Sequence, residues 1–504
     1  MNAGKTIMSV AALTALSQAH TFAHEAQKPN ILFIFVDDLG YADVGFNGSK
    51  YYETPHIDAM AKQSVVFENS YTYPTSSPSR AALFTGQQSF RTGIYTVPVL
   101  EVGDSTENIF SRWTVTKDFP FYSELLAENG YKNIHIGKWH VVGPYPDREL
   151  AATYPLAKQL TQPDAWDFSW FPRHQEDEIK MQFYPEGRGF VRNVGGTYRG
   201  DPALEVGGYK SETGGYKAPF SNPFIQAKAD DEWLTDRLTD EAIDFMKEYK
   251  NEPFMINLHY YTVHAPCRGR SDELHKKYMN KPGDPELGQG MDKGNRRAYI
   301  ADYASMIESL DDNVGRLIDY LKESGELENT LIVFSSDNGY NAGANKKMRG
   351  KKTQIYEGGV RVPTFMYWKN KVVARRTEQP ISILDFFPTF MDCADINHKG
   401  ILDGKSVIPL LVKDKKSFEK RPIFWQLNSI RSHGTCTAMR QGDYKIIQFL
   451  ATGEVELYNL KNDPLERENL VKVEPKVVEK MLTQISKWRR KNDVPLPPNA
   501  VVKL

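Results

Sequence analysis

The stretch Ile31-Leu32-Phe33-Ile34-Phe35-Val36-Asp37-Asp38-Leu39-Gly40 decides the fold. Its continuous apolar run, Ile31 to Val36, reads as a central strand of a parallel sheet buried on both faces. The run stops abruptly at Asp37, Asp38 and Gly40, which puts two carboxylates at that strand's carboxyl edge. Leu331 to Phe334 repeats the pattern and ends in Ser335, Ser336, Asp337, Asn338 and Gly339. Between them lie a helical period around Ile57 to Phe67, a polar turn with Pro74 and Pro78, and a helix start from Ser79 to Phe84. Asn129-Gly130 closes another helix, and Asn133 to Ile136 and Phe254 to Leu258 read as further strands. Tyr299, Tyr303, Met306, Leu310, Val314, Leu317 and Leu321 recur at helical spacing, which predicts one long amphipathic helix ended by Gly325. Strands alternating with helices, with acids where strands stop, predict an α/β fold: a doubly wound, mostly parallel sheet with its site at the carboxyl edge.

Residues 144–230 depart from this pattern, being rich in Gly, Pro, Tyr, Trp and Arg with little periodicity, and read as long loops on the site face. Beyond Pro422 the elements shorten: Ile423 to Gln426, Tyr444 to Leu450 and Glu454 to Tyr458 read as strands, Val477 to Arg489 as a closing helix. The expected organisation is a targeting segment at 1–23, a main α/β domain at 24–415 and a smaller C-terminal α+β subdomain at 416–504. The targeting segment is a secretory signal peptide: Lys5, an apolar stretch from Thr6 to Leu16, then small and polar residues through Ala19 and Ala23. The mature chain is expected to start near Glu25 in a periplasmic or extracellular space, and no later stretch reaches membrane-spanning length.

Sixty-three Lys plus Arg against 64 Asp plus Glu leave a net charge of -1, so there is no basic footprint for nucleic acid and any bound anion must be held locally. Cys267, Cys393 and Cys436 are odd in number and far apart, which supports neither a disulfide framework nor a cysteine metal cluster. Asp37, Asp38, Asp337 and Asn338 form two oxygen-bearing pairs after two buried strands. Hard oxygen ligands without cysteine suit Ca²⁺ or Mg²⁺ better than zinc, whereas either pair alone reads more simply as a helix cap or turn. In Thr75-Ser76-Ser77-Pro78-Ser79-Arg80, Pro78 pre-sets the first helical turn, Ser79 can cap, and Ser76 lies just before the helix N-terminus, where N–H groups favour an anion.

On these residues the chain resembles a type I sulfatase of the formylglycine-dependent, alkaline-phosphatase-like superfamily. Ser76-Ser77-Pro78-Ser79-Arg80 with Thr85-Gly86 matches the signature Cys/Ser-x-Pro-Ser-Arg-x-x-x-x-Thr-Gly. Further matches are Gly137-Lys138-Trp139-His140, Val263-His264-Ala265-Pro266, and Gly350-Lys351-Lys352 with Glu357-Gly358-Gly359-Val360-Arg361-Val362-Pro363. Leu457-Tyr458-Asn459-Leu460 with Asp463-Pro464 and Glu466 completes a series from about Pro29 to Leu470.

The resemblance implies the alkaline-phosphatase-like sheet and a sulfuric ester hydrolase whose Ser76 is oxidised to formylglycine (3-oxoalanine) by a formylglycine-generating maturation enzyme. Many family members carry Cys there. It implies one Ca²⁺ held by Asp37, Asp38, Asp337 and Asn338. Arg80 would stabilise the hydrated nucleophile and the ligand carboxylates, and Lys138 and Lys352 would contact sulfate. His140 would deprotonate the hemiacetal and His264 would protonate the leaving oxygen. Lys352 is preferred to Lys351 for its interval to Glu357. The expected substrate is a sulfated carbohydrate, from the family's common substrates together with Trp166, Trp170, Phe171, Arg173, His174, Tyr198 and Arg199, whose rings and guanidinium groups suit sugars and their anionic substituents. The alternatives are a phosphoester or phosphonate hydrolase of the same superfamily, against which stands the lack of an Asp-x-x-x-His zinc arrangement, and an inactive sulfated-glycan binding protein.

Overall fold

Asn30–Val36 (β1) is buried along its whole length and splits its side chains between two cores. Ile31, Phe33 and Phe35 enter one; Leu32, Ile34 and Val36 enter the other. That division explains the unbroken apolar run, since neither face meets water. The computed structural model describes residues 28–97, 106–143, 181–202, 214–282, 293–341, 348–412, 418–430 and 434–502. The signal segment and Trp166, Trp170, Phe171, Arg173 and His174 lie outside the described residues.

The strands that follow are Val65–Phe67 (β2), Ser70–Tyr71 (β3), Lys132–Gly137 (β4), Arg192–Val194 (β5), Phe254–His259 (β6) and Thr330–Ser336 (β7). Next come Phe365–Trp368 (β8), Arg375–Thr377 (β9) and Ile381–Ser382 (β10). Eight of them form one sheet in the order β5-β4-β6-β1-β7-β8-β2-β9, in which only β8 runs against the others; β3 and β10 pair separately. The helices Pro55–Ala61 (α1), Leu234–Glu248, Asp272–Asn280 and Lys293–Ser324 cover the second core through Ile57, Leu238, Phe245, Tyr278, Met306 and Leu310. Ser76–Thr85 (α2), Tyr122–Glu128 (α3) and Phe386–Cys393 cover the other through Phe84, Tyr122, Phe386 and Phe390. The large mixed, mostly parallel sheet flanked by helices is therefore the expected α/β architecture.

The C-terminal region is an antiparallel sheet of Ile423–Leu427 (β11), Cys436–Gln441 (β12), Tyr444–Phe449 (β13) and Val455–Asn459 (β14), with the helix Pro475–Lys491 on one face. Met439, Ile446 and Leu457 meet Met481, Leu482 and Ile485 there. The other face adds Trp425, Ala438, Ile447 and Tyr458 to the main core, so the two parts share apolar contacts. All three cysteines are free and buried.

Two local expectations need correction. The helical period at Ile57 to Phe67 divides: α1 stops at Ala61, and Val65-Val66-Phe67 pairs as β2 with β8 and β9. A short β-branched run fits either period, and the neighbouring strands decide. The second concerns α2, which includes Ser76. Thr75 is the extended N-cap, and Ser79 sits inside the helix, its hydroxyl accepting from Tyr73 N–H at 3.0 Å and donating to Tyr73 carbonyl at 3.2 Å.

Candidate active site

Strands β4, β6, β1 and β7 are parallel neighbours, so their carboxyl ends open side by side. Lys138 and His140 follow β4, His264 follows β6, Asp37 and Asp38 follow β1, and Asp337 and Asn338 follow β7. Val36 is level with Ser336, and Asp337 N–H donates to Val36 carbonyl at 3.1 Å, which sets the two acidic pairs at one height. Ser76 and Arg80, one turn apart on α2, face this edge. Asp38 (φ 63°) and His140 (φ 58°) adopt left-handed backbone, a strained state of the kind concentrated at functional sites.

The buried side chains interlock. Lys138 Nζ stands 2.6 Å from Asp37 Oδ2 and donates to Ser76 Oγ at 3.2 Å. Ser76 Oγ is 3.3 Å from Asn338 Oδ1 and 3.5 Å from Asp37 Oδ1. Arg80 gives two N–H groups to Asp337 Oδ2 (3.2 and 3.0 Å) and one to Lys138 carbonyl (2.8 Å), and meets His259 Nδ1 at 3.0 Å. Lys352 Nζ lies 2.7 Å from Asp38 Oδ1, while Lys351 is exposed. Asn338 Nδ2 donates to Asp38 Oδ1 at 2.8 Å. His264 Nε2 is 3.9 Å from Asp38 Oδ2, and its Nδ1 lies 2.6 Å from Ala265 carbonyl and 3.3 Å from Asp201 Oδ1.

These contacts set the charges. Burial, then Asp337, pushes the Asp37 carboxyl well above the usual range, with Lys138 opposing. Burial also works against ionised Asp337, but Arg80, Lys138 and Lys352 outweigh it and hold that carboxyl low. Burial lowers Lys138, whereas at Lys352 the surrounding Asp38, Asp37 and Asp337 overcome burial and raise the ammonium. Burial followed by Lys138 depresses His140 well below an ordinary histidine, and burial followed by Lys352 brings His264 down to about 4. Three converging carboxylates and a carboxamide, all buried and all offering oxygen, fit a hard divalent cation. Ligand atoms of Asp37, Asp38 and His264 lie within 4.8 Å of one another.

Three neighbours escaped the sequence reading. Asp201 approaches His264, as above, and a Cβ on Gly200 would come within 2.8 Å of His140 Cε1, so the 199–201 turn packs against both histidines. Its segment carries no periodicity to flag it. Arg199, expected to meet sugar, pairs with Asp201 at 3.0 Å, and Tyr198 is buried. His259 supports Arg80 from within β6, where it reads as one more buried strand residue.

Fold and site together define an α/β enzyme whose carboxyl-edge centre sets oxygen donors beside buried ammonium and guanidinium groups. A family model described as sulfatase matches residues 29–396, and one described as N-sulphoglucosamine sulphohydrolase, C-terminal, matches residues 350–491. The chain is 28% identical to a sulfatase of Formosa agariphila, over 95% of this chain and 92% of that one. It is 27% identical to N-acetylgalactosamine-6-sulfatase of Homo sapiens, over 79% and 68% of the two chains. Among solved structures it is 29% identical to Ps i-CgsB in complex with k-i-k-neocarrahexaose, with a TM-score of 0.69 and 95% of each chain covered. The chain belongs to the sulfatase family and is a sulfuric ester hydrolase.

Proposed function

We propose that this enzyme removes sulfate from carbohydrate, at a site holding one Ca²⁺ and a formylglycine made from Ser76 by a maturation enzyme, after export to the periplasm or beyond. The observation that carries this reading is Ser76 Oγ lying among Lys138, Asp37 and Asn338 at the start of α2, where an oxygen nucleophile meets both cationic side chains and an oxygen donor set. Two of the similar proteins point the same way: one is named N-acetylgalactosamine-6-sulfatase, and Ps i-CgsB was solved in complex with k-i-k-neocarrahexaose. The apolar stretch after Lys5 supports export.

Asp37, Asp38, Asp337 and Asn338 would hold the cation, which supplies positive charge against a sulfate oxygen. A formylglycine hydrate at this position would supply one oxygen to attack sulfur and a second hydroxyl whose deprotonation reforms the aldehyde and releases sulfate with the first oxygen. The chain's own residues do the rest. Lys138 and Lys352 balance the equatorial oxygens as charge builds. Arg80 braces Asp337 and, through Lys138 carbonyl, the turn after β4. His140, kept neutral by burial, would accept the proton of the remaining hemiacetal hydroxyl as sulfate leaves, and His264 would give a proton to the departing sugar oxygen. Incubation with defined sulfated mono- and oligosaccharides, with and without chelator, tests the reading. Equimolar free sulfate and desulfated sugar, lost on chelation and restored by Ca²⁺, is the expected result; aryl sulfate hydrolysis with every sugar sulfate untouched would refute the carbohydrate assignment.

A further inference from the structure

The motif Leu457-Tyr458-Asn459-Leu460, Asp463-Pro464 and Glu466 takes no part in the chemistry above, yet it grips the segment that carries Lys352. On the catalytic side that segment is held by its backbone. Lys352 N–H donates to Tyr340 carbonyl (2.8 Å), Thr353 N–H to Pro74 carbonyl (2.7 Å), and Gly339 N–H to Gly359 carbonyl (2.9 Å). It thereby touches both the turn before Ser76 and the Asp337-Asn338 turn.

On the opposite side the hold comes from the C-terminal subdomain. Arg349 donates to Tyr458 Oη at 2.5 Å and Glu466 carbonyl at 3.1 Å, and its guanidinium lies 3.8 Å from the centre of the Tyr356 ring. Glu456 accepts from the Tyr356 and Tyr458 hydroxyls, both at 2.9 Å. Glu357 N–H donates to Glu466 Oε2 at 2.7 Å. Lys445 Nζ stands 3.0 Å from Glu357 Oε1 and 3.0 Å from Glu466 Oε1, and Tyr71 closes the network on Glu357 Oε2 at 2.8 Å. Lys445, Glu357 and Glu466 are all buried.

Two backbone positions show what this network restrains. Thr353, directly after Lys352, has φ +78°, and Glu466 has φ +53°. Positive φ is a genuine outlier for a β-branched residue, and such conformations persist only where the surroundings over-determine them. A buried ion triad is a poor way to gain stability, since apolar residues of equal volume do as well, but it can fix one arrangement among several. We propose that Tyr458, Glu456, Glu466 and Lys445 are positioning residues: the C-terminal subdomain clasps residues 349–357 and so sets the Lys352 ammonium at Asp38 and at the anion. This rests on the reading that Lys352 contacts substrate sulfate.

The test compares matured wild-type enzyme with Tyr458→Phe, Glu466→Gln, Lys352→Ala and the double variant Tyr458→Phe/Lys352→Ala, using para-nitrophenyl sulfate. Tyr458→Phe and Glu466→Gln should raise KM by ~3–30-fold with a smaller change in kcat, and in the Lys352→Ala background Tyr458→Phe should add less than ~2-fold, because both changes act through one group. Hydrogen exchange at the Lys352 and Thr353 amides should quicken in both clasp variants while thermal midpoints stay close to wild type. Equal losses from Tyr458→Phe in both backgrounds, or unchanged exchange at those amides, would overturn the clasp. A Lys352→Ala enzyme with wild-type KM would instead overturn the sulfate contact, leaving amide exchange to judge the clasp by itself.

Discussion

Replacing His264 with alanine should separate two kinds of sulfate ester. The ring is only 13% exposed, its Nδ1 is engaged by Ala265 carbonyl and Asp201, and its Nε2 points toward Asp38, so the change removes one proton donor and little packing. Few groups can take over. Lys138 and Lys352 are committed to Asp37 and Asp38. For a sugar alkoxide, loss of general acid catalysis should lower kcat/KM by ~10²–10⁴-fold, or about 3–5 kcal/mol of transition-state stabilisation. For para-nitrophenyl sulfate, whose leaving group needs little protonation, the loss should stay below ~10-fold. The assay is parallel initial rates on a sugar sulfate and the aryl sulfate, with thermal unfolding to show that the variant is folded. Equal losses on both substrates would refute the reasoning and move the proton donor elsewhere.

Divalent ions should matter to stability as well as turnover. Ca²⁺ at ~100 times its dissociation constant should stabilise the wild type by about 2.7 kcal/mol in denaturant unfolding, and Asp337→Ala should abolish both this gain and activity; no Ca²⁺ effect on the wild-type midpoint would count against the donor set. Asp43 supplies a pH prediction: burial raises its carboxyl to about 6, with Tyr303 and Gly40 bonded to Oδ2. A raised carboxyl binds its proton more tightly folded than unfolded, so its stabilisation is present below about pH 4 and lost as pH rises through about 6. Asp43→Asn should therefore be more stable than wild type at pH 8, by about 1–3 kcal/mol, with the advantage shrinking toward acid pH; urea midpoints across that range decide, and a constant difference would contradict the assignment.

The core strands and the acidic pairs were legible because burial on both faces writes an unbroken apolar run, and a site at a carboxyl edge writes polar residues directly after it. The long helix was legible from its period: Lys293–Ser324 begins before the first periodic residue, Tyr299, and stops just before Gly325, as expected. What the pattern could not carry lies in short or mixed elements. Strand β12, Cys-Thr-Ala-Met-Arg-Gln, buries Thr437 and Arg440 among its apolar residues, so pairing with β11 and β13 rather than alternation makes it a strand. Asp201 and Gly200 reach the histidines only through tertiary folding of an aperiodic segment. The roles of Ser76, Lys138 and Lys352 came from resemblance, and the structure adds where each atom stands.

The central claim is that turnover requires oxidation of Ser76, because an unmodified serine hydroxyl is a weak nucleophile without an adjacent general base. The neighbours of Ser76 Oγ are Lys138, Asn338 and two carboxyls already engaged by cations, Asp37 paired with Lys138 and Asp337 paired with Arg80. The direct measurement is mass spectrometry of the peptide spanning Tyr71 to Arg80, paired with turnover on the same preparation. Activity should rise in proportion to the fraction of peptide lacking two hydrogens at Ser76, and protein from a host without a serine-type maturation enzyme should bind sulfated sugar yet hydrolyse it negligibly. Full turnover by protein whose Ser76 is wholly unmodified would contradict the account and assign the attack to the serine itself.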